Sequence, residues 1–150
     1  MNAHTNTEEA IKQFAAGKLG NIKVLMIEDD SFFSELVLSK LSKEGCIPYS
    51  SANGEEALDL AQQYQPNIII LDLMLPGMQG ESVLEQLKTN ADLSHIPVVI
   101  FSNKSNQEDM DKNIKSGAAA FLIKSTTDLN ELVDIVSGVI KKSKDSSAQA

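Results

Sequence analysis

Residues 67–80 read NIIILDLMLPGMQG, and the fold follows from this stretch. Ile68, Ile69, Ile70 and Leu71 form an unbroken aliphatic run, too short for a lone helix. Such a run suits a strand buried on both faces, as in the middle of a parallel sheet. It stops at Asp72, and Pro76-Gly77 turns the chain before the next helix. Open α/β sheets bind their ligands at the carboxyl ends of the strands, where Asp72 falls.

Outward from this centre the same pattern repeats. Strand-like runs lie at Ile22–Ile27, Ile47–Ser51, Ile96–Phe101 and Ala118–Ile123. Helical spacing fills the intervals. Ser31 caps a helix through Lys43, with Phe32, Phe33, Leu36, Val37 and Leu41 as its core stripe and Asp30 as a favourable charge at its start. Glu55–Tyr64 turns Ala57, Leu58 and Ala61 inward, and Glu81–Lys88 does so with Val83, Leu84 and Leu87. A polar helix spans roughly Gln107–Ser116. The last helix, capped by Thr127 or Asp128, carries Leu129, Leu132, Val133, Val136, Val139 and Ile140. Five strands alternating with five helices predict an α/β fold, a parallel sheet covered on both faces and joined by right-handed crossovers. The division expected is an N-terminal extension over 1–20, a domain over 21–141 and a flexible tail over 142–150. Asn6-x-x-Glu9 resembles a capping box for a short helix in the extension.

Composition narrows the function. Thirteen basic against 21 acidic residues give a net charge of −8, which argues against binding to nucleic acid or an anionic membrane. Cys46 is alone, so there is neither a disulfide framework nor a thiolate metal site. His4 and His95 have no histidine partner at ligand spacing, and Met74 and Met78 read as loop packing. With no apolar run of membrane-spanning length and no signal-peptide core, a soluble cytoplasmic protein is expected.

Four strands end in polar groups: Glu28-Asp29, Asp72, Ser102 and Lys124. In a parallel sheet these ends share one edge, so groups distant in sequence converge. Three carboxylates brought together call for a cation, and an all-oxygen donor set favours Mg²⁺. Three carboxylates (−3), Mg²⁺ (+2) and Lys124 (+1) sum to zero. A phosphoryl group on Asp72 would add about one negative unit, which Lys124 and the Ser102 hydroxyl are placed to receive.

Over 22–141 the sequence resembles a response-regulator receiver domain, the phosphoacceptor module of two-component signalling. The matching residues are Glu28-Asp29 after VLMI, Asp72 in LDLMLPGMQG, Ser102 after IPVVIF and Lys124 in GAAAFLIK. The resemblance implies a flavodoxin-like sheet of order 2-1-3-4-5. It implies a stand-alone receiver whose Asp72 takes phosphoryl from the phosphohistidine of a histidine kinase or histidine phosphotransfer protein. Asp29, Asp72 and the Met74 carbonyl would ligate Mg²⁺ directly, with Glu28 acting through water. Ser102 and Lys124 would hold phosphoryl oxygens, and Phe121 would be the aromatic switch position, although its spacing suits plain core equally well. Such a protein is not a conventional enzyme, although it catalyses its own phosphorylation and dephosphorylation. Its output is binding to a downstream protein or to a second copy, through the fourth helix, fifth strand and fifth helix.

Two rival functions remain. One is a relay intermediate that passes phosphoryl to a second histidine protein. The other is a haloacid-type aspartyl phosphatase, which wants its nucleophile after the first strand and a second aspartate two residues on, where this chain has Met74. Three positions depart from the receiver pattern. Ser102 replaces the commoner threonine, Asn103 a small residue, and Ser125 a proline whose peptide is often cis. The expectation is that the Lys124–Ser125 bond keeps the cis form.

Overall fold

The computed structural model describes residues 17–149, and side chains through 145. Among the described residues the elements are β1 (Lys23–Ile27), α1 (Ser31–Ser42), β2 (Ile47–Ser51), α2 (Gly54–Tyr64), β3 (Ile68–Leu71), α3 (Gly80–Thr89), β4 (Val98–Ser102), α4 (Gln107–Lys115), β5 (Ala120–Ile123) and α5 (Leu129–Gln149). All four strand pairings are parallel, in the order β2-β1-β3-β4-β5. The flavodoxin-like architecture is therefore the one observed.

Alternation along the strands builds the core on both faces. Val24, Met26, Ile68, Ile70, Val99 and Phe101 point to one side, where Val37, Leu41, Leu132, Val136 and Ile140 cover them from α1 and α5. Leu25, Ile27, Ile69, Leu71, Val98 and Ile100 point to the other, beneath Ala57, Ala61, Val83, Leu84 and Leu87 of α2 and α3. The Ile68–Leu71 run is fully buried, as a central strand flanked on both faces must be.

Several local expectations need correction. The core-facing stripe of α1 is Ser34, Val37 and Leu41, with Leu38 and Phe33 half-buried against it. Phe32 and Leu36 are 77% and 48% exposed. Positions 34, 37, 38 and 41 are the true one-face spacing, and the serine among them hid it. Asp30, not Ser31, is the N-cap, its carboxylate accepting from the Phe33 N–H at 3.1 Å. Leu19 lies within the stretch read as a polar extension, yet it is fully buried, and its N–H donates to the Glu44 carbonyl at 2.9 Å. The Asn6–Glu9 capping box and His4 fall outside the described residues. Helix α5 continues to Gln149, through the stretch read as a tail. Asp128 caps it, its carboxylate accepting from the Glu131 N–H at 2.8 Å.

Among the described residues there is no cis peptide, so Lys124–Ser125 is trans. The reason lies in the other departure from the receiver pattern. Ser125 has the N–H that proline lacks, and it donates to the Asn103 side chain at 3.1 Å. That bond holds the turn without a non-proline cis bond, which costs roughly 2.5–4 kcal/mol.

Candidate functional site

Strand register brings the polar ends together. Ile27 pairs with Leu71, so Glu28 and Asp72 emerge side by side, and the Asp72 N–H donates to the Ile27 carbonyl at 3.0 Å. Leu71 pairs with Ile100 and Ser102 with Ile123, which carries the ends of β4 and β5 to the same edge. The Lys124 N–H donates to the Ser102 carbonyl at 3.0 Å. Gly80 closes the loop after β3. A Cβ there would stand 2.4 Å from the Leu73 Cα and 2.6 Å from the Asp72 carbonyl oxygen, so only glycine lets α3 begin against that backbone.

Carboxylate oxygens of Glu28, Asp29 and Asp72 all lie within 4.8 Å of one another. Glu28 and Asp72 are buried and Asp29 is exposed. The Lys124 ammonium is salt-bridged to Glu28 Oε1 and, at 2.9 Å, to Asp72 Oδ2. Asp72 Oδ1 accepts from the Met74 N–H at 3.1 Å. Ser102 is fully buried, and its hydroxyl accepts from the Lys104 N–H at 3.4 Å.

Electrostatics separate the two buried carboxyls. Burial, reinforced by the neighbouring Asp72, pushes Glu28 up to about 7 against the opposing pull of Lys124. Burial acts on Asp72 in the same sense, but the neighbouring Glu28, Lys124, Met74 N–H and Ser102 outweigh it and hold Asp72 below its ordinary value. Burial also works against charge on Lys124, yet its two carboxylate partners raise it overall. On acidification without a metal, Glu28 therefore takes up a proton before Asp72 does. Glu28 Oε2 is buried without a hydrogen-bond partner. An orphaned carboxylate oxygen beside two more carboxylates is a donor set that fits a hard divalent cation.

The structure thus gathers Glu28, Asp29, Asp72, Lys124 and the Met74 backbone, with Ser102 beneath. Phe121 lies apart: it pairs with Ile100 and packs half-buried against the α2–α3 side of the core. The Met74 side chain is 58% exposed, not loop packing, whereas Met78 does pack there.

Three features escaped the sequence reading. The Phe33 ring lies under the Lys124 ammonium, 4.6 Å from Nζ to its centroid, and tilts against Phe101 at 5.7 Å. Its position one turn into the helix that follows the acidic run was the available signal. Asn103 ties to Ser125, and Lys104 ties to Glu81 at 2.9 Å, both across the mouth of the site. No spacing rule pairs residues 22 or 23 apart on different elements.

The comparisons agree with this fold. The chain is 36% identical over 120 residues to the probable transcriptional regulator ycf29 of Pyropia yezoensis, covering 80% of this chain and 54% of that one. It spans about a quarter to about half the length of the curated relatives it matches. Among solved structures, the signal receiver domain of a putative Luxo repressor protein from Vibrio parahaemolyticus superposes with a TM-score of 0.79 at 27% identity, covering 85% of this chain and 96% of that one. The Mn²⁺-bound form of response regulator Rcp1 superposes with a TM-score of 0.67 at 31% identity, covering 79% and 91%. Residues 24–137, which contain every strand end gathered at the acidic edge, match the family model described as the response regulator receiver domain. The chain belongs to that family.

Proposed function

We propose that this receiver domain accepts a phosphoryl group on Asp72 from the phosphohistidine of a histidine kinase or histidine phosphotransfer protein. The observation that carries the reading is a buried aspartate held anionic at a strand end, with a lysine on one oxygen and two more carboxylates beside it. A carboxylate oxygen attacks phosphorus, the N–P bond breaks as the O–P bond forms, and the imidazole leaves and takes a proton from solvent. Lys124 meets the phosphoryl oxygens from one side and the Ser102 hydroxyl from the other. Mg²⁺ held by Glu28, Asp29, Asp72 and the Met74 carbonyl would offset the negative charge gathered there, and the existence of an Mn²⁺-bound form of the similar response regulator Rcp1 supports a divalent ion.

The chain on this reading catalyses its own phosphorylation and dephosphorylation and signals by altered protein binding. Phe121 and Ser102 form the switch, and the face of α4, β5 and α5 is where a partner or a second copy docks. The test is intact mass after incubation with Mg²⁺ and a small acyl-phosphate donor. One phosphoryl group per chain is expected, lost in excess chelator and absent from Asp72→Asn. Undiminished labelling of Asp72→Asn would count against the assignment.

A further inference from the structure

Lys104 is tied to the site at both ends of its residue. Its backbone N–H donates to the Ser102 hydroxyl at 3.4 Å, and its ammonium reaches across to Glu81 Oε1 at 2.9 Å. Glu81 stands in the first turn of α3, next to the glycine that lets that helix abut the Asp72 backbone. The other Glu81 oxygen, Oε2, is buried with no partner. Glu81 is the main influence on the Lys104 ammonium, but Asp109 and Asp72 also lie close enough to act on it.

The pair is weak by construction. Side-chain exposures of 37% and 24% leave it open to solvent, and such pairs contribute little net stability. A change of partner therefore costs little. The site also needs one more cation after phosphorylation. Three carboxylates, a divalent ion and Lys124 sum to zero, and a phosphoryl group on Asp72 adds about one negative unit and three acceptor oxygens.

We infer, building on the phosphoacceptor reading above, that Lys104 exchanges partners: it pairs with Glu81 in the unphosphorylated protein and with a phosphoryl oxygen on Asp72 in the phosphorylated one. The hydroxyl of Ser102, drawn toward the phosphoryl group, pulls on the Lys104 backbone in the same direction. Glu81 is released into the groove between α3 and α4, where it lies with Lys88, Lys112 and Asn113. Lys104 thereby binds the phosphoryl group and reports its arrival to α3.

A plain surface staple makes the opposite prediction from an exchange. If the pair only braces the loop, Lys104→Gln and Glu81→Gln break the same bond and shift phosphoryl binding in the same direction. Under exchange the two substitutions have opposite signs. The measurement is the affinity of each variant for beryllofluoride in saturating Mg²⁺, by calorimetry, with thermal unfolding run alongside to confirm folding. Lys104→Gln should weaken binding by about tenfold or more, the scale of a lost charge-assisted hydrogen bond. Glu81→Gln should tighten it by about twofold to fivefold, since it removes a competitor of surface-pair strength. The double variant should match Lys104→Gln, and Lys104→Arg should recover most of the loss. Shifts of the same sign in the two single variants, or no shift in either, overturn the exchange and leave the receiver reading standing. Failure of the unsubstituted protein to bind beryllofluoride overturns both.

Discussion

Glu28 and Asp72 are adjacent carboxyls at strand ends, and folding drives them in opposite directions. Glu28 is raised from 4.5 to about 7, so in the metal-free protein the folded state holds a proton that the unfolded chain has already shed. Its contribution to stability is complete below 4.5 and is lost as the pH rises through about 7. Asp72 is lowered from 3.8, so its contribution is lost only on acidification below that value, outside the Glu28 window. Urea unfolding of metal-free protein should therefore show a midpoint that falls as the pH rises from 4.5 to about 7, the range in which folded Glu28 keeps a proton that the unfolded chain has shed. Glu28→Gln should flatten that slope. A midpoint that stays level or rises across the window in the unsubstituted protein would show that Glu28 is not the proton's holder. At this scale the sequence was legible where a residue's role is set by its place at a strand end. Lys104 and Asn103 act through side-chain reach from a loop to another element, which carries no periodic signal.

Among the helices, α4 has the fewest buried residues. Its one buried residue is Asn113, whose side chain donates to the Asp109 carbonyl at 2.7 Å within the same helix. Ile114, its most apolar residue, is 46% exposed. A helix without a buried apolar anchor shifts at small cost, and it follows directly on the loop that carries Asn103 and Lys104. On the proposed reading, drawing Ser102 toward a phosphoryl oxygen would vacate space beside β4 that Phe121 on β5 would turn in to fill, because close-packed interiors do not keep such voids. Ser102→Ala should still accept phosphoryl on Asp72 but transmit little of it, with coupling of typically about 1–3 kcal/mol at stake. An amide NMR shift map with and without a phosphoryl mimic reads this. Wild-type shifts across α4 and α5 in Ser102→Ala would rule out that route. The helices α2, α3 and α5 were legible because aliphatic side chains mark one face. Helix α1 was legible in its extent but not in its inward face, because apolar residues at 32 and 36 surround a face that contains Ser34.

At the scale of the molecule, parallel pairing does the assembling: five strands running one way deliver every carboxyl end to one edge. Glu28, Asp72, Ser102 and Lys124 were therefore legible as one site, since a polar residue that ends an aliphatic run marks that edge. The geometry of the turn at Ser125 was not, because it depends on a single hydrogen bond to Asn103. No helix among the described residues is long and apolar enough to cross a membrane. The account turns on Asp72 as the acceptor, and chemical trapping tests that most directly. The protein is phosphorylated with a small acyl phosphate in Mg²⁺, reduced with borohydride, which converts an aspartyl phosphate to homoserine, digested and sequenced by tandem mass spectrometry. The account predicts homoserine at position 72 and nowhere else; homoserine at position 29 or 30, or an unreduced phosphoryl group on a histidine, would contradict it.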